Sequence, residues 1–298
     1  AYGDALVKLV TADSRIVALD GDTKNSTFSQ KVLTDHPDNF FEMFIAEQNM
    51  VGVAAGMSSC GKIPFVSTFA AFLTRAFDQI RMARISRANL RFVGSHCGVS
   101  IGPDGPSQMG LEDMAMFRAI PDSVVLYPSD GVSTEHLVAQ LADQNGISYL
   151  RTSRPKTAVI YHSDERFEIG GSKVIQKSES DSATIVAAGI TLHEAIKAHH
   201  ILEKEGIKVR VIDAYSVKPI DEETLRQAAA DTGYLVVVED HYAQGGLGDA
   251  VLEAVGNRCE IRKLAIRSVP RSGNPQELIE AFRIDALSIA NEIRKNTH

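Results

Sequence analysis

The chain has 298 residues, is 44% apolar and 23% charged, and therefore suits about two globular domains rather than a disordered polypeptide. Its net charge of -7 argues against nucleic acid or an anionic membrane as a partner, and we expect neither. Its three separated cysteines, and the lack of a signal peptide or a bilayer-spanning apolar stretch, predict a cytoplasmic location without a disulfide framework.

The first half alternates short apolar segments with helical ones, starting with an amphipathic helix over residues 2–12. Strands are predicted at 15–20, 40–45, 63–69, 91–96, 123–128 and 148–153. Helices are predicted between them at 47–60, 72–88, 111–117 and 131–143. This alternation favours a parallel sheet covered on both faces, in which ligands bind beyond the carboxyl ends of the strands. The polar loops that should meet there are 21–27, 46–49, 67–72 and 95–108.

A polar, glycine-containing linker over residues 154–182, with one or two short strands, separates a second domain. Its strands are predicted at 183–188, 208–213, 234–239 and 261–266. Its helices are predicted at 191–205, 221–231, 247–256, 275–282 and 284–296. The predicted fold class is therefore α/β, with two three-layer α/β domains that each contain a mostly parallel sheet. We place the domains at residues 1–163 and 164–298.

One ionisable group, Glu47, stands at the junction of strand 40–45 and helix 47–60, with apolar neighbours on both sides. A carboxyl group held there can exchange a proton near neutral pH, whereas a solvated residue of the first turn would only suit the helix dipole. Phe69 and Phe72 are three residues apart at another strand-to-helix turn and can line one pocket. An acid beside aromatic rings suits a flat heteroaromatic base, and core packing is the alternative for either ring.

A second candidate site is the Gly- and Pro-rich loop that contains His96, Asp104 and Gln108. These polar side chains can hydrogen-bond a substrate or a cofactor, and a loop of this length is either functional or disordered. After the last strand of the first domain, an arginine of the segment R-T-S-R-P can bind a phosphate with two parallel hydrogen bonds. Ser26, in the first loop that follows a strand, can share that task.

Two glycine-containing segments are interpreted as structural. The G-G-L-G at residues 245–248 resembles a phosphate-binding helix start, but it lacks the dinucleotide-binding spacing and reads as a tight helix entry. Asp240 and His241 precede it and can reach a neighbouring element. The G-D-T at residues 21–23 mimics a Gly-Asp-Gly metal motif without its second glycine, so we assign no metal ligand in this chain.

Seven segments together resemble transketolase, in chain order and over essentially the whole length. They are L-D-G-D-T-K-N-S-T-F, I-A-E-Q-N-M, S-T-F-A-A-F-L-T-R-A-F-D-Q-I-R, G-S-H-C-G-V-S-I-G-P-D-G-P-S-Q-M, Y-P-S-D-G, R-T-S-R-P and V-E-D-H-Y. The resemblance implies the pyrimidine-binding and C-terminal domains of the family, in its animal-type branch. The family's front domain, which carries the metal and diphosphate motif, is not found here. We therefore expect a split subunit or a fragment of a longer chain.

The resemblance also implies roles for individual residues. Glu47 matches the catalytic glutamate that bonds N1′ of the thiamine diphosphate aminopyrimidine. Phe72 matches the aromatic ring stacked on that pyrimidine, with Phe69 beside it and Gln108 next to the cofactor. Four further residues match the positions that hold the sugar phosphate: Ser26, His96, Asp104 and Arg154. Many members have His in place of Gln108 and Tyr in place of Arg75, so a role that requires an imidazole at 108 does not carry over.

The implied reaction is transfer of a two-carbon ketol unit from a ketose phosphate, such as xylulose 5-phosphate, to an aldose phosphate. The implied cofactor is thiamine diphosphate, with Mg²⁺ or another divalent ion held by the missing domain or a partner. The implied partner is a diphosphate-binding domain or an N-terminal transketolase subunit, in a homodimer or heterotetramer. Without that partner the chain is expected to be inactive.

Three alternatives stay open from the sequence. A beta subunit of a 2-oxo acid dehydrogenase has the same two domains, but it would not be expected to keep His96 together with Arg154. A deoxyxylulose phosphate synthase usually lacks a histidine at the position of His96. A non-catalytic or regulatory transketolase-like chain is the third alternative.

Overall fold

The structure, a computed structural model, describes residues 1–296 and contains two β-sheets. Their strands are β1 (Ile16–Asp20), β2 (Phe40–Glu42), β3 (Ile63–Phe69), β4 (Leu90–Ser95), β5 (Val124–Leu126), β6 (Ile147–Arg151), β7 (Lys173–Gln176), β8 (Ala183–Ala187), β9 (Val209–Asp213), β10 (Ser216–Lys218), β11 (Tyr234–Tyr242) and β12 (Glu260–Ile266). The first sheet has the order β10-β5-β6-β4-β3-β1-β2, and the second has the order β12-β11-β8-β9-β7. Each sheet is parallel except for one edge strand, β10 or β7. The predicted α/β fold class is confirmed.

Helices cover both faces of the sheets. They are α1 (Tyr2–Ala12), α2 (Lys24–Thr27), α3 (Gln30–Asp35), α4 (Glu47–Ser59), α5 (Phe77–Ile85), α6 (Asp113–Arg118), α7 (Gly131–Ala142), α8 (Ile190–Lys204), α9 (Glu222–Thr232), α10 (Leu247–Val255), α11 (Pro275–Ala281) and α12 (Ala286–Arg294). Short 3-10 helices lie at Pro37–Asn39, Ala70–Ala76, Val99–Asp104 and Gly256–Arg258. Over residues 1–296, every helix is too short or too polar to cross a membrane.

The central strands of the first sheet are apolar along most of their length because both of their faces are covered. Parallel pairing places the carboxyl ends of β1, β3, β4 and β6 at one edge. The loops beyond these ends are joined by backbone hydrogen bonds. Gly21 donates to Ser67 O at 3.0 Å, and Thr152 donates to Gly94 O at 2.9 Å. The predicted meeting of the post-strand loops is therefore confirmed for these strands.

The structure differs from the sequence prediction in several places, one of which is α2 within the predicted polar loop 21–27. The predicted helix 72–88 is a 3-10 helix over Ala70–Ala76 followed by α5. Strand β2 ends at Glu42. Met43 is half-buried, whereas Phe44 and Ile45 are exposed, and Phe44 has a left-handed conformation at φ 53°. Strand β10 comes from the second half of the sequence but pairs antiparallel with β5 in the first sheet. Its three residues, S-V-K, are too few to show a strand pattern.

Candidate active site

Helix α4 begins at Glu47, whose side chain is 2% exposed. A carboxylate in the first turn lies at the positive end of the helix dipole. The Nη1 of Arg75 donates a hydrogen bond to Glu47 Oε2 at 2.7 Å, although the Arg75 side chain is itself 58% exposed. A buried carboxylate needs such a partner, because burying an unpaired charge is costly. The two residues therefore form an ion pair that extends from the interior to the surface.

Two aromatic rings stand beside this pair. The ring centroids of Phe69 and Phe72 are 5.1 Å apart at an interplanar angle of 21°. Phe69 is the N-cap of the 3-10 helix Ala70–Ala76, in which side chains three residues apart are aligned. Phe69, Phe72 and Arg75 therefore lie along one face, and Arg75 joins that face to Glu47. The predicted acid and its aromatic neighbours are brought together by a helix type that the sequence did not predict.

His96 continues the row of rings. It stacks on Phe69 with the centroids 3.8 Å apart and an interplanar angle of 11°. Burial and, to a smaller extent, the nearby charge of Arg154 lower the pKa of His96 to about 4 against the opposing charge of Asp104, so this imidazole is neutral at pH 7. A neutral imidazole offers one hydrogen-bond donor and one acceptor to a bound hydroxyl group.

His96, Asp104 and Arg154 form one cluster. The Nε2 of His96 lies 3.9 Å from Asp104 Oδ2, and the Nη1 of Arg154 lies 3.3 Å from the same oxygen. Arg154 also donates to the carbonyl of Ile101 at 3.2 Å, and about half of its side chain is exposed. The three predicted substrate residues thus meet, and the exposed part of the guanidinium is available to an anion.

Ser26 lies on α2, at the same edge of the sheet but beyond a different strand. This short helix is organised by the buried carboxylate of Asp20, which accepts hydrogen bonds from Thr23 N at 2.6 Å, Thr27 Oγ1 at 2.7 Å and Ser29 Oγ at 2.8 Å. Among the described residues, no hydrogen bond joins Ser26 to the His96–Asp104–Arg154 cluster. The structure therefore places Ser26 at this edge without linking it to the other three.

The loop that carries His96 packs against the second sheet. At Gly98, with φ 74°, an added Cβ atom would lie 1.9 Å from Asp240 Oδ2, so only glycine fits there. Farther along the loop, Gln108 is half-buried and its backbone N donates to Gly105 O at 3.1 Å. The shape of the loop is thus set in part by Asp240, a residue of β11.

Asp240 is held by Arg151, which is fully buried. The Nη1 of Arg151 donates to Asp240 Oδ1 at 2.8 Å, its Nε donates to Asp113 Oδ2 at 2.7 Å, and its Nη2 donates to Gly110 O at 2.9 Å. Burial alone would raise the pKa of Asp113, but the charge of Arg151 holds it below its usual value. Of the two arginines in R-T-S-R-P, Arg151 is therefore structural, and only Arg154 is accessible to a phosphate.

At the glycine-rich segment, residues 245–248, the side chain of Glu239 occupies the space beside the backbone. Gly248 N donates to Glu239 Oε1 at 3.2 Å, and a Cβ atom on Gly246 would lie 2.0 Å from Glu239 Oε2. Helix α10 begins directly after Gly246. The interpretation of this segment as a tight helix entry is confirmed, since a carboxyl group occupies the place that a bound phosphate would need.

Arg75 and the Arg151–Asp240 pair are the residues whose roles the sequence did not reveal. The spacing of three residues between Phe69, Phe72 and Arg75 was a usable signal, but only for a 3-10 helix. Asp240 was expected to reach a neighbouring element, and its partner proves to be Arg151, which is 89 residues away in the sequence.

Family profiles match both parts of the chain. Residues 1–159 match the family described as "Transketolase, pyrimidine binding domain", and residues 172–289 match "Transketolase, C-terminal domain". The fold and the site thus define an α/β protein that contains a pyrimidine-binding domain. More particularly, the chain belongs to the transketolase family.

Individual relatives agree with this assignment. The chain is 55% identical to transketolase-like protein 2 of Mus musculus and 54% identical to transketolase of Homo sapiens, over 99% of its own length. It spans about half of these curated relatives, 48% in each case. A split-gene transketolase, solved as an inactive beta4 tetramer, superimposes with a TM-score of 0.91 at 38% identity, with 99% of this chain and 96% of that chain covered. The Campylobacter jejuni transketolase, at 19% identity and a TM-score of 0.84 over 99% of this chain and 46% of that one, shares the fold.

Proposed function

We propose that this chain supplies the pyrimidine and sugar-phosphate side of a ketol transferase that uses thiamine diphosphate. The observation that carries the proposal is that the Glu47–Arg75 ion pair and the stacked rings of Phe72, Phe69 and His96 are joined by one 3-10 helix, which carries both Arg75 and Phe72. At the other end of these rings, His96 lies beside Asp104 and Arg154. One end of the row combines a buried acid with aromatic rings, and the other combines a neutral imidazole with an accessible cation. We also propose that the two domains divide near residue 163.

The first end fits an aminopyrimidine. Phe72 is half-buried and presents a ring for stacking, and Glu47 is fixed at the start of α4. When bound, thiamine diphosphate would supply the carbon nucleophile and the electron sink of the reaction. Glu47 would hold a proton at N1′ of the pyrimidine, and Phe69 would support the stacking face. Gln108 would line the cofactor as a hydrogen-bonding group. Arg75 donates to Oε2 of Glu47, which leaves Oε1 for a hydrogen bond to N1′.

The second end fits a phosphorylated sugar. Arg154 would bind the phosphate, because a guanidinium presents paired donors that match phosphate oxygens. His96 would hydrogen-bond a sugar hydroxyl as a neutral imidazole, and Asp104 would accept from another hydroxyl while orienting Arg154. Ser26 would add a hydroxyl donor near the phosphate. This end separates the proposal from a 2-oxo acid dehydrogenase, whose substrates carry no sugar phosphate.

We infer that a diphosphate-binding domain or subunit completes the site and holds Mg²⁺ or another divalent ion. The curated relatives are about twice as long as this chain, and the split-gene relative is inactive as a tetramer of its beta chain. Close to Glu47 in sequence, Phe44 is 67% exposed and Ile45 is 70% exposed, which suits a face that a partner covers. The assembly would be a homodimer of a longer chain or a heterotetramer. A cytoplasmic location remains a prediction from the cysteine content.

A reconstitution assay tests the proposal. The chain is mixed with a candidate diphosphate-binding subunit, thiamine diphosphate and Mg²⁺, and ketol transfer from xylulose 5-phosphate to ribose 5-phosphate is measured. Activity is expected only when both chains are present. Activity of this chain alone would contradict the need for a partner. A complex that forms but turns over no substrate would favour the non-catalytic alternative, to which the Glu47–Arg75 ion pair lends some support.

A further inference from the structure

The last two turns of α8 carry a cluster that the proposed function does not use. It consists of His199, His200 and Glu203. Each residue offers one ligand atom, and the three atoms lie within 4.8 Å of one another. Helical spacing explains the convergence, because residues three or four apart on a helix are neighbours. Glu203 is three residues from His200 and four from His199, so its carboxylate can reach both rings.

The separations suit a small metal ion. His200 Nδ1 and Glu203 Oε2 are 3.6 Å apart. Two ligands that each bind zinc at about 2.0–2.1 Å in tetrahedral geometry lie about 3.3 Å apart, so a small rotation of either side chain closes the gap. His200 and Glu203 are both exposed, which leaves the site open to an ion from solvent.

His199 provides an independent observation. Its Nδ1 atom is buried and has no hydrogen-bond partner within residues 1–296. An unpartnered buried nitrogen costs free energy, and a metal bond would remove that cost.

The surroundings also favour a cation. The C-terminal end of a helix carries partial negative charge, and α8 ends at Lys204, directly after Glu203. On the same helix, the charge of Lys197 is paired with Glu194, at 2.6 Å between Nζ and Oε1. Of the carboxylates near this end of α8, that of Glu203 belongs to the cluster, whereas that of Asp181 is paired with Arg210, at 3.5 Å between Oδ2 and Nε.

We propose that His199, His200 and Glu203 bind one divalent transition-metal ion of the zinc, nickel and copper class. Two imidazoles and one carboxylate form a donor set that these borderline ions prefer, whereas Mg²⁺ and Ca²⁺ prefer oxygen ligands alone. The remaining coordination positions would be taken by water. This site lies on the C-terminal domain and does not depend on the proposed ketol transfer.

Zinc titration by calorimetry tests the proposal on the full chain without an affinity tag or thiamine diphosphate. Cys60 is exposed, so the titration uses a C60S background in which that thiol cannot bind the metal. One zinc ion per chain is expected to bind. H200A and E203Q should each weaken binding by about tenfold or more, since even indirect partners of a metal site contribute tenfold to a hundredfold. H162A, at another exposed histidine, is the matched control and should leave binding unchanged.

Copper binding gives a second measurement on the same proteins. The electron paramagnetic resonance spectrum of the Cu²⁺ complex should show two nitrogen ligands in the C60S chain and one in H200A. Because His200 and Glu203 are exposed, both variants should keep the fold, which circular dichroism verifies. Equal zinc affinity in C60S, H200A and E203Q would overturn the proposal, as would a C60S chain that shows no saturable zinc binding.

Discussion

Arg151 donates a hydrogen bond to Asp240 across the contact between the two sheets, at 2.8 Å between Nη1 and Oδ1, and both side chains are fully buried. The same guanidinium binds Asp113 and the carbonyl of Gly110, at the far end of the loop that starts at His96. A single buried cation therefore ties together two strands, one helix and the candidate sugar-phosphate loop. Removing it would leave two buried carboxylates with no opposite charge.

The first prediction concerns this cation. R151M should lower the free energy of unfolding by about 3–5 kcal/mol, because breaking a buried ion pair leaves uncompensated charge. Urea denaturation followed by circular dichroism measures the change. The matched control is R154M, three residues along the chain and half-exposed, which should change stability by about 0.5 kcal/mol or less. Similar urea midpoints for the two variants would show that Arg151 does not stabilise the domain contact.

The second prediction concerns the proposed proton donor. In the assembled enzyme, E47Q should lower kcat by about 10²- to 10⁴-fold, the usual contribution of a positioned acid or base, because an amide cannot donate that proton. The measurement is steady-state ketol transfer. Glu223, exposed on α9, offers the matched control E223Q, which should keep normal turnover. Near-normal turnover in E47Q would remove Glu47 from the mechanism.

The third prediction concerns Arg154. R154A should raise KM for phosphorylated sugars and lower kcat/KM by about 10- to 100-fold, since a hydrogen bond to a charged group contributes about 1.5–3 kcal/mol. An unphosphorylated sugar should be used equally well by R154A and the parent enzyme. A loss of the same size for both sugars would mean that Arg154 acts through the shape of the loop and not through the phosphate.

The fourth prediction concerns pH. Burial raises the pKa of Glu239 to about 7, above the value expected in the unfolded chain. Between about pH 4.5 and pH 7, Glu239 is therefore protonated in the folded state and ionised in the unfolded state. Its contribution to the free energy of unfolding falls as the pH rises through that window. E239Q removes the titration. The variant should match the parent chain at pH 5 and exceed it at pH 8, by on the order of 2 kcal/mol.

Urea unfolding of both proteins at the two pH values measures this difference. Glu239 lies on β11 and accepts a hydrogen bond from Gly248 at the start of α10, so the property measured is the stability of the fold. If E239Q and the parent chain show the same change in unfolding free energy between pH 5 and pH 8, Glu239 does not titrate in this window.

Much of the fold could be predicted from sequence because parallel strands and their covering helices have strong local patterns. The strands that form the middle of each sheet were all placed within a few residues. The segments that were missed depend on interactions outside their own sequence. Helix α2 is held by hydrogen bonds to Asp20, and strand β10 exists only by pairing with β5. Such segments carry little hydrophobic periodicity of their own.

For the candidate site too, the local features could be predicted from sequence and the tertiary contacts could not. Glu47, Phe72, His96 and Arg154 were predicted from residue type, position after a strand and family resemblance. What could not be predicted is which charges meet. The pair of Glu47 and Arg75 spans 28 residues, and its geometry depends on a 3-10 helix where an α-helix was expected. Contacts of this kind follow from tertiary packing, and no local pattern encodes them.

The close packing of Gly98 against Asp240 limits the substitutions that this protein can accept during evolution. The backbone of the loop that carries His96 packs directly against a side chain from the C-terminal domain. The contact leaves no space for even a methyl group. A chimera that joins this pyrimidine-binding domain to a foreign C-terminal domain must therefore keep an aspartate at 240, which fits against Gly98 and pairs with Arg151, or the proposed sugar-binding loop will be displaced. The sequences of the two domains are therefore constrained together at these positions, although each domain has a sheet of its own.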